Sequence, residues 1–135
     1  MTDETKGGFD PSAYEAEARE RWGHTDAYKE SALRMKGYTK DDLARIEAEM
    51  EDIEARMAEL MNGGAPADGD AAMAVAEEAR LHIDRHFYPC SPRMHVGLAD
   101  MYTADPRFRA HYDDRAAGLA EYVATAIKAN AARAG

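Results

Sequence analysis

The chain is short of several things: it has one cysteine, one tryptophan and three phenylalanines in 135 residues. A single cysteine forbids an internal disulfide. With no signal-peptide pattern at the start, it points to a reducing, cytoplasmic setting. No run of about 18 apolar residues exists, so no membrane-spanning segment is expected. Positive charge is scarce too: 17 Lys and Arg face 26 Asp and Glu, a formal net charge of −9 spread along the chain. A DNA-binding face must neutralise phosphates and is basic, so the chain is not expected to bind nucleic acid by itself. It has no glycine-rich phosphate cradle. Its carboxylates are numerous but scattered over helix surfaces, and no nucleophile signature surrounds the cysteine. Neither an enzymatic activity nor a cofactor is expected. The length suits one domain, residues 1–135, able to bury its own core.

What is present is helical periodicity, and no stretch alternates convincingly enough for a strand. The first helix signal is "FDPSAYEAEARERWG", capped by Asp10, with Pro11 at its first position and Gly23 at its end. Tyr14, Ala18 and Trp22 give it a narrow apolar stripe. A second helix starts at Thr25 or Asp26 and stops at Gly37, with Tyr28, Ala32 or Leu33, and Met35 as its thin apolar content. The third is the strongest signal: Leu43, Ile46, Met50, Ile53, Met57 and Leu60 recur at three- and four-residue steps. Thr39 and Asp42 form a capping-box pattern, and Gly63-Gly64 supplies the stop. The spacing also suits a short coiled coil, which keeps dimerisation through this helix open. After the loop "GGAPADGD", a helix from about Asp70 to Phe87 carries Met73, Ala76, Ile83 and Phe87 on one stripe. Pro89 ends it. Ser91-Pro92 and Asp105-Pro106 open two more helices, the second reaching Tyr112. The last helix places Leu119, Tyr122, Val123, Ala126 and Ile127 on one face. These six or seven helices predict an all-α domain. Residues 1–40, thin in aliphatic side chains, are the segment expected to be loose until something binds, over a stable core of 41–135.

The chemistry concentrates in "RHFYPCSPRMH", the bend that holds Cys90. Three readings stand side by side. A helix N-terminus with Arg85, Arg93, His86 and His95 nearby is the setting that lowers a thiol pKa and makes a nucleophile or redox switch. The spacing His82, His86, Cys90, His95 could offer zinc a thiolate and three imidazoles, yet Pro89 breaks helical continuity and no acidic residue is evidently placed to hold the histidines. Alternatively, Cys90 is a small buried hydrophobe. No metal is assigned on this evidence. Trp22, Tyr28, Tyr38, His86, Tyr88, Met94, Met101, Tyr102 and Tyr112 gather at helix ends and around this bend. With Cys90 they are the candidate lining of a cleft for large, flat apolar molecules, a role for which eight methionines and seven tyrosines suit the chain.

The blocks "RERWGHTDAY", "GYTKDD", "AMAVAEEARLHIDRHFYPCSPRMHVGLADMYTADPRF" and "GLAEYVATAIKANAAR" resemble the TipA-type effector domain (TipAS), the antibiotic-sensing part of certain MerR-family transcription regulators. The resemblance runs from about Phe9 to Arg133 and includes His86, Tyr88, Cys90, Met94 and His95. It implies a globin-like all-α bundle without haem, whose N-terminal helices close over the ligand. Its ligands are implied to be thiopeptide antibiotics, with the cysteine matching Cys90 adding to a dehydroalanine, or other bulky aromatic drugs held without a covalent bond. It further implies a homodimeric parent regulator that meets DNA through an N-terminal winged helix-turn-helix, absent from these residues, so that the chain is a separated domain or a stand-alone sequestering product. The readings kept beside it are a thiol-redox or Cys/His metal sensor domain and a helical protein-interaction module.

Overall fold

Short polar side chains set where the helices begin. The computed structural model describes residues 25–134, which form six helices with no strand among them. Thr25 accepts from the Tyr28 amide and opens α1 (Asp26–Lys36). Thr39 and Asp42 close a reciprocal capping box at the start of α2 (Lys40–Asn62). Gly64, at φ 85°, makes the left-handed turn that ends it. Gly69 precedes α3 (Asp70–His86) without a side-chain cap. Ser91 and Asp105, each followed by proline, cap α4 (Pro92–Ala104) and α5 (Pro106–Arg115). A second left-handed glycine, Gly118 at φ 88°, turns the chain into α6 (Leu119–Ala134), whose Ala120 amide donates to the Asp113 carboxylate. The expected first helix, with Tyr14 and Trp22, lies outside the described residues.

The last helix is the centre of the packing. Apolar residues at three- and four-residue steps bury Leu119, Ala120, Val123, Ala124, Ala126 and Ile127 on α6, which contacts α2, α3, α4 and α5. Small residues let the neighbours approach closely: Ala72 and Ala76 of α3, Ala99 of α4 and Ala120 and Ala126 of α6 have no exposed surface. Ile53, Met57, Val75 and Tyr112 fill the space between them. The stripe expected on α2 is only half used. Ile46, Ile53 and Met57 are buried, while Leu43, a turn before the first buried position, is 36% exposed. The short helix expected to stop at Tyr112 runs on to Arg115, because the turn comes only at Gly118.

No residue of α1 is buried, and Leu33 is 64% exposed. Polar contacts hold it instead. Arg34 Nη1 donates to the carbonyls of Asp84 (2.7 Å) and Arg85 (3.2 Å), and Tyr38 Oη donates to that of His86 (2.7 Å). Three successive carbonyls at the end of α3, which have no partner inside their own helix, are thereby satisfied by the α1–α2 segment.

Truncating Ile127 to Ala should cost about 2–5 kcal/mol, because the cavity would open against four helices. Leu43→Ala, at an exposed position, should stay within about 0.5 kcal/mol of the parent. Urea unfolding followed by circular dichroism tests both; equal losses would contradict the burial pattern.

Candidate functional site

The bend after α3 is gripped by α3 itself. Arg80 and Asp84 lie four residues apart and so share one helical face. Arg80 Nη1 donates to the Cys90 carbonyl (2.7 Å), and the Cys90 amide donates to Asp84 Oδ1 (2.8 Å). Arg80 is in turn fixed by the Glu77 carboxylate, through Nε at 2.9 Å and a second, shorter contact from Nη2. Glu77 also accepts from Asn130 of α6 at 2.8 Å. The Arg80 pairing holds the Glu77 carboxyl down to about 2, so it is charged throughout the neutral range. Ser91 caps α4 one residue later, and the thiol lies 3.8 Å from the Ser91 carbonyl.

The thiol itself departs from one expectation. Cys90 is 1% exposed, and burial pushes its pKa up to about 11 instead of down. The helix N-terminus and Arg80 do favour thiolate, but desolvation outweighs them, and the Asp84 and Glu77 carboxylates add to it. Cys90 is therefore a buried, protonated thiol at neutral pH. His95, on the first turn of α4, is 2% exposed and pushed down to about 4, by burial first and Arg80 second.

Beside the bend stands an aromatic wall. The Tyr102 and Tyr112 rings are 5.1 Å apart, with Phe108 at 5.6 Å from Tyr102. Burial pushes both phenols up first; Tyr88 and Cys90 add to this at Tyr102, Tyr102 adds to it at Tyr112, and the buried Glu54 acts on both. Glu54 is held by His111 Nε2 at 3.0 Å and Arg115 at 3.7 Å. A void of about 20 Å³ lies among Met57, His95, Tyr102, Tyr112, Val123 and Ile127. Drug-sized pockets measure about 300–1,000 Å³, so this void is far too small to hold one as it stands.

Of the candidate lining residues, Tyr88, Cys90, Tyr102 and Tyr112 are therefore brought together. Tyr38 and His86 form a separate group at the end of α3, their rings 6.5 Å apart. Tyr28 and Met101 are partly buried, on α1 and α4, and Met94 is 38% exposed. Trp22 lies outside the described residues. The four-ligand set His82, His86, Cys90, His95 does not converge. Glu49 of α2 sits between His82 and His86 instead, supplying the acidic neighbour that the sequence reading did not find. Sequence reasoning also missed Glu77, Arg80 and Asp84. The one signal for them is acid and base recurring along the α3 face that leads into the bend.

The family model of the TipAS antibiotic-recognition domain matches residues 14–130. The HTH-type transcriptional activator TipA of Streptomyces coelicolor is 46% identical over 130 residues, covering 96% of this chain and 51% of that protein. The chain thus spans about half the length of the curated relatives it matches. Among solved structures, TipAS from Streptomyces lividans in complex with nosiheptide superposes with a TM-score of 0.87 at 46% identity, over 96% of this chain and 90% of that one. The antibiotic-binding domain of a TipA-class multidrug resistance transcriptional regulator gives 0.62 at 42% identity, over 67% of this chain and 96% of that one.

Two pH experiments follow from these pKa shifts. With its pKa raised from 9.0 to about 11, Cys90 should hold about 100-fold less thiolate at neutral pH than an ordinary thiol. Alkylation should speed up about tenfold per pH unit toward pH 11. A rate that levels off below pH 8 would contradict a protected thiol. For His95, the unfolded imidazole takes a proton below about 6.5 while the folded one resists to about 4. Its contribution is complete above pH 6.5 and is lost as pH falls to 4, by about 3 kcal/mol. His82, also lowered by burial, acts in the same direction. A His95→Gln variant should retain more of its neutral-pH stability at pH 4.5, measured by urea unfolding; an unchanged pH profile counts against this role.

Proposed function

The chain belongs to the TipAS antibiotic-recognition domain family, and we propose that it captures a bulky, largely apolar antibiotic of the thiopeptide class against the Cys90 bend. What carries this reading is the likeness to TipAS bound to nosiheptide over nearly the whole chain. The site is compatible with it: a thiol stands by a tyrosine wall, on a bend fixed by hydrogen bonds to its backbone. The candidate ligand contacts are Cys90, Tyr88, Tyr102 and Tyr112 at that wall, then Tyr28, Tyr38, His86, Met94 and Met101 around it, and Trp22. For a dehydroalanine-bearing ligand, the Cys90 sulfur adds to the β-carbon of the alkene. The alkene electron pair moves to the α-carbon, which takes up a proton, so the thiol S–H is added across the double bond and nothing leaves. Because the free thiol is buried and protonated, this addition waits on opening of the wall.

Residues 1–40 are proposed as the lid and 41–135 as the stable body. The unburied α1, held by Arg34 and Tyr38, supports this division for its described part. Ordering the lid would give ligand-bound and ligand-free states different affinities for their partners, as coupling to a DNA-binding half requires. In a MerR-type parent regulator, proposed to be a homodimer, DNA contact would fall to a winged helix-turn-helix. The acidic charge of this domain suits a role that leaves phosphates to another part.

Intact mass spectrometry after incubation with a thiopeptide should show one adduct of the antibiotic's mass in the parent and none in Cys90→Ser. Reversible ligands should quench Trp22 fluorescence in both. Absence of adduct and of quenching together would overturn the reading. Amide exchange without ligand should be fast over α1 and slow over the Ile46–Met57 stretch of α2; equal protection would mean that the lid is already closed.

A further inference from the structure

A second group of side chains, away from the Cys90 thiol, has ligand chemistry of its own. His82 and His86 lie four residues apart on α3, so both rings face the same side, 4.7 Å apart between centroids. Glu49 reaches them from α2. Its Oε1 lies 3.3 Å from His82 Nε2 and 3.4 Å from His86 Nε2, and the three ligand atoms all fall within 4.8 Å of one another.

These contacts fail as hydrogen bonds. His82 is 3% exposed and neither ring nitrogen meets a partner in good hydrogen-bond geometry, although the Glu49 carboxylate and the Ile46 backbone lie close enough to act on it; His86 Nε2 is also unpartnered. Buried polar atoms without partners are uncommon and call for a reason. A metal supplies one. Bonds of about 2.0–2.1 Å around a tetrahedral zinc place neighbouring ligand atoms about 3.3–3.4 Å apart. The two Glu49 separations already have that length, and the histidine–histidine edge is no longer than 4.8 Å. Two imidazoles and a carboxylate are a recurring three-ligand zinc set that leaves a fourth position for water or ligand. The other acids nearby are already matched: Arg56 binds Asp52 and Glu78, and Arg45 binds Asp42. Glu49 has no Lys or Arg partner among the described residues. It is 45% exposed and, with His82, lines a groove of about 480 Å³ between α2 and α3.

We propose that Glu49, His82 and His86 bind a divalent cation of the zinc class, with the fourth position open to the groove between α2 and α3. The ion would tie α2 to the end of α3, at the residue whose carbonyl Tyr38 holds.

The test uses the whole chain, stripped with a chelator, in a thiol-free reductant, with Zn²⁺ and Co²⁺ as probes. Calorimetry should give one equivalent of Zn²⁺. Its affinity should fall at least about 10-fold in Glu49→Gln and in His86→Gln, the scale that even outer-shell changes reach. His111→Gln should bind like the parent. Co²⁺ should develop tetrahedral visible bands without a thiolate charge-transfer band. Glu49 is surface-accessible, so Glu49→Gln should fold, and a circular dichroism melt checks it. No stoichiometric binding, equal affinity in the parent and both site variants, or a thiolate band placing the ion on Cys90 would each overturn the proposal.

Discussion

Everything near the candidate site depends on one backbone unit being held from both sides. The Cys90 peptide receives a hydrogen bond from Arg80 at its carbonyl and gives one to Asp84 at its amide. Pro89 and Pro92, on either side of Cys90-Ser91, restrict φ but cannot fix the direction in which the chain leaves α3. The clamp does that, and it positions Ser91 to cap α4. Through Glu77 it also reaches Asn130, so the bend is referenced to the central helix α6. Being partly buried and charge-assisted, these bonds are stronger than their exposed counterparts elsewhere on the surface.

The helices themselves were readable because their signals are local. Thr39 with Asp42, Ser91-Pro92 and Asp105-Pro106 each start a helix where the pattern predicts one, and α3 ends one residue from where Pro89 implies. Burial was less readable. Leu43 fits the α2 stripe as well as Ile46 does, and only the end of the contact with α3 separates them. At the site, the grouping of Cys90 with tyrosines could be anticipated from composition around the bend. The protonation state of the thiol could not, since it turns on desolvation against one arginine and two carboxylates contributed by the preceding helix. Glu49 was invisible for a related reason: it stands more than thirty residues before the histidines it approaches, and only the packing of α2 on α3 brings it there.

Two degrees of order coexist in the described residues. Around α6, alanines allow close helix contact and the interior is filled, with little free volume beside His95 and the tyrosines. Around α1, burial is replaced by a few directional bonds to the end of α3. Such bonds are worth about 1–3 kcal/mol each in net terms, less than a buried helix face, so the two regions should open at different free energies. That difference places adaptability at the end of α3 and rigidity around α6.

Arg34 and Tyr38 grip main-chain carbonyls, not side chains, at the end of α3. A carbonyl is the same whichever residue carries it. Substitutions along this stretch of α3 can therefore change what the cleft recognises while leaving the latch for α1 intact, provided the helix still ends in the same place. On the proposed reading, in which α1 belongs to a lid, ligand recognition and closure can then drift separately in evolution.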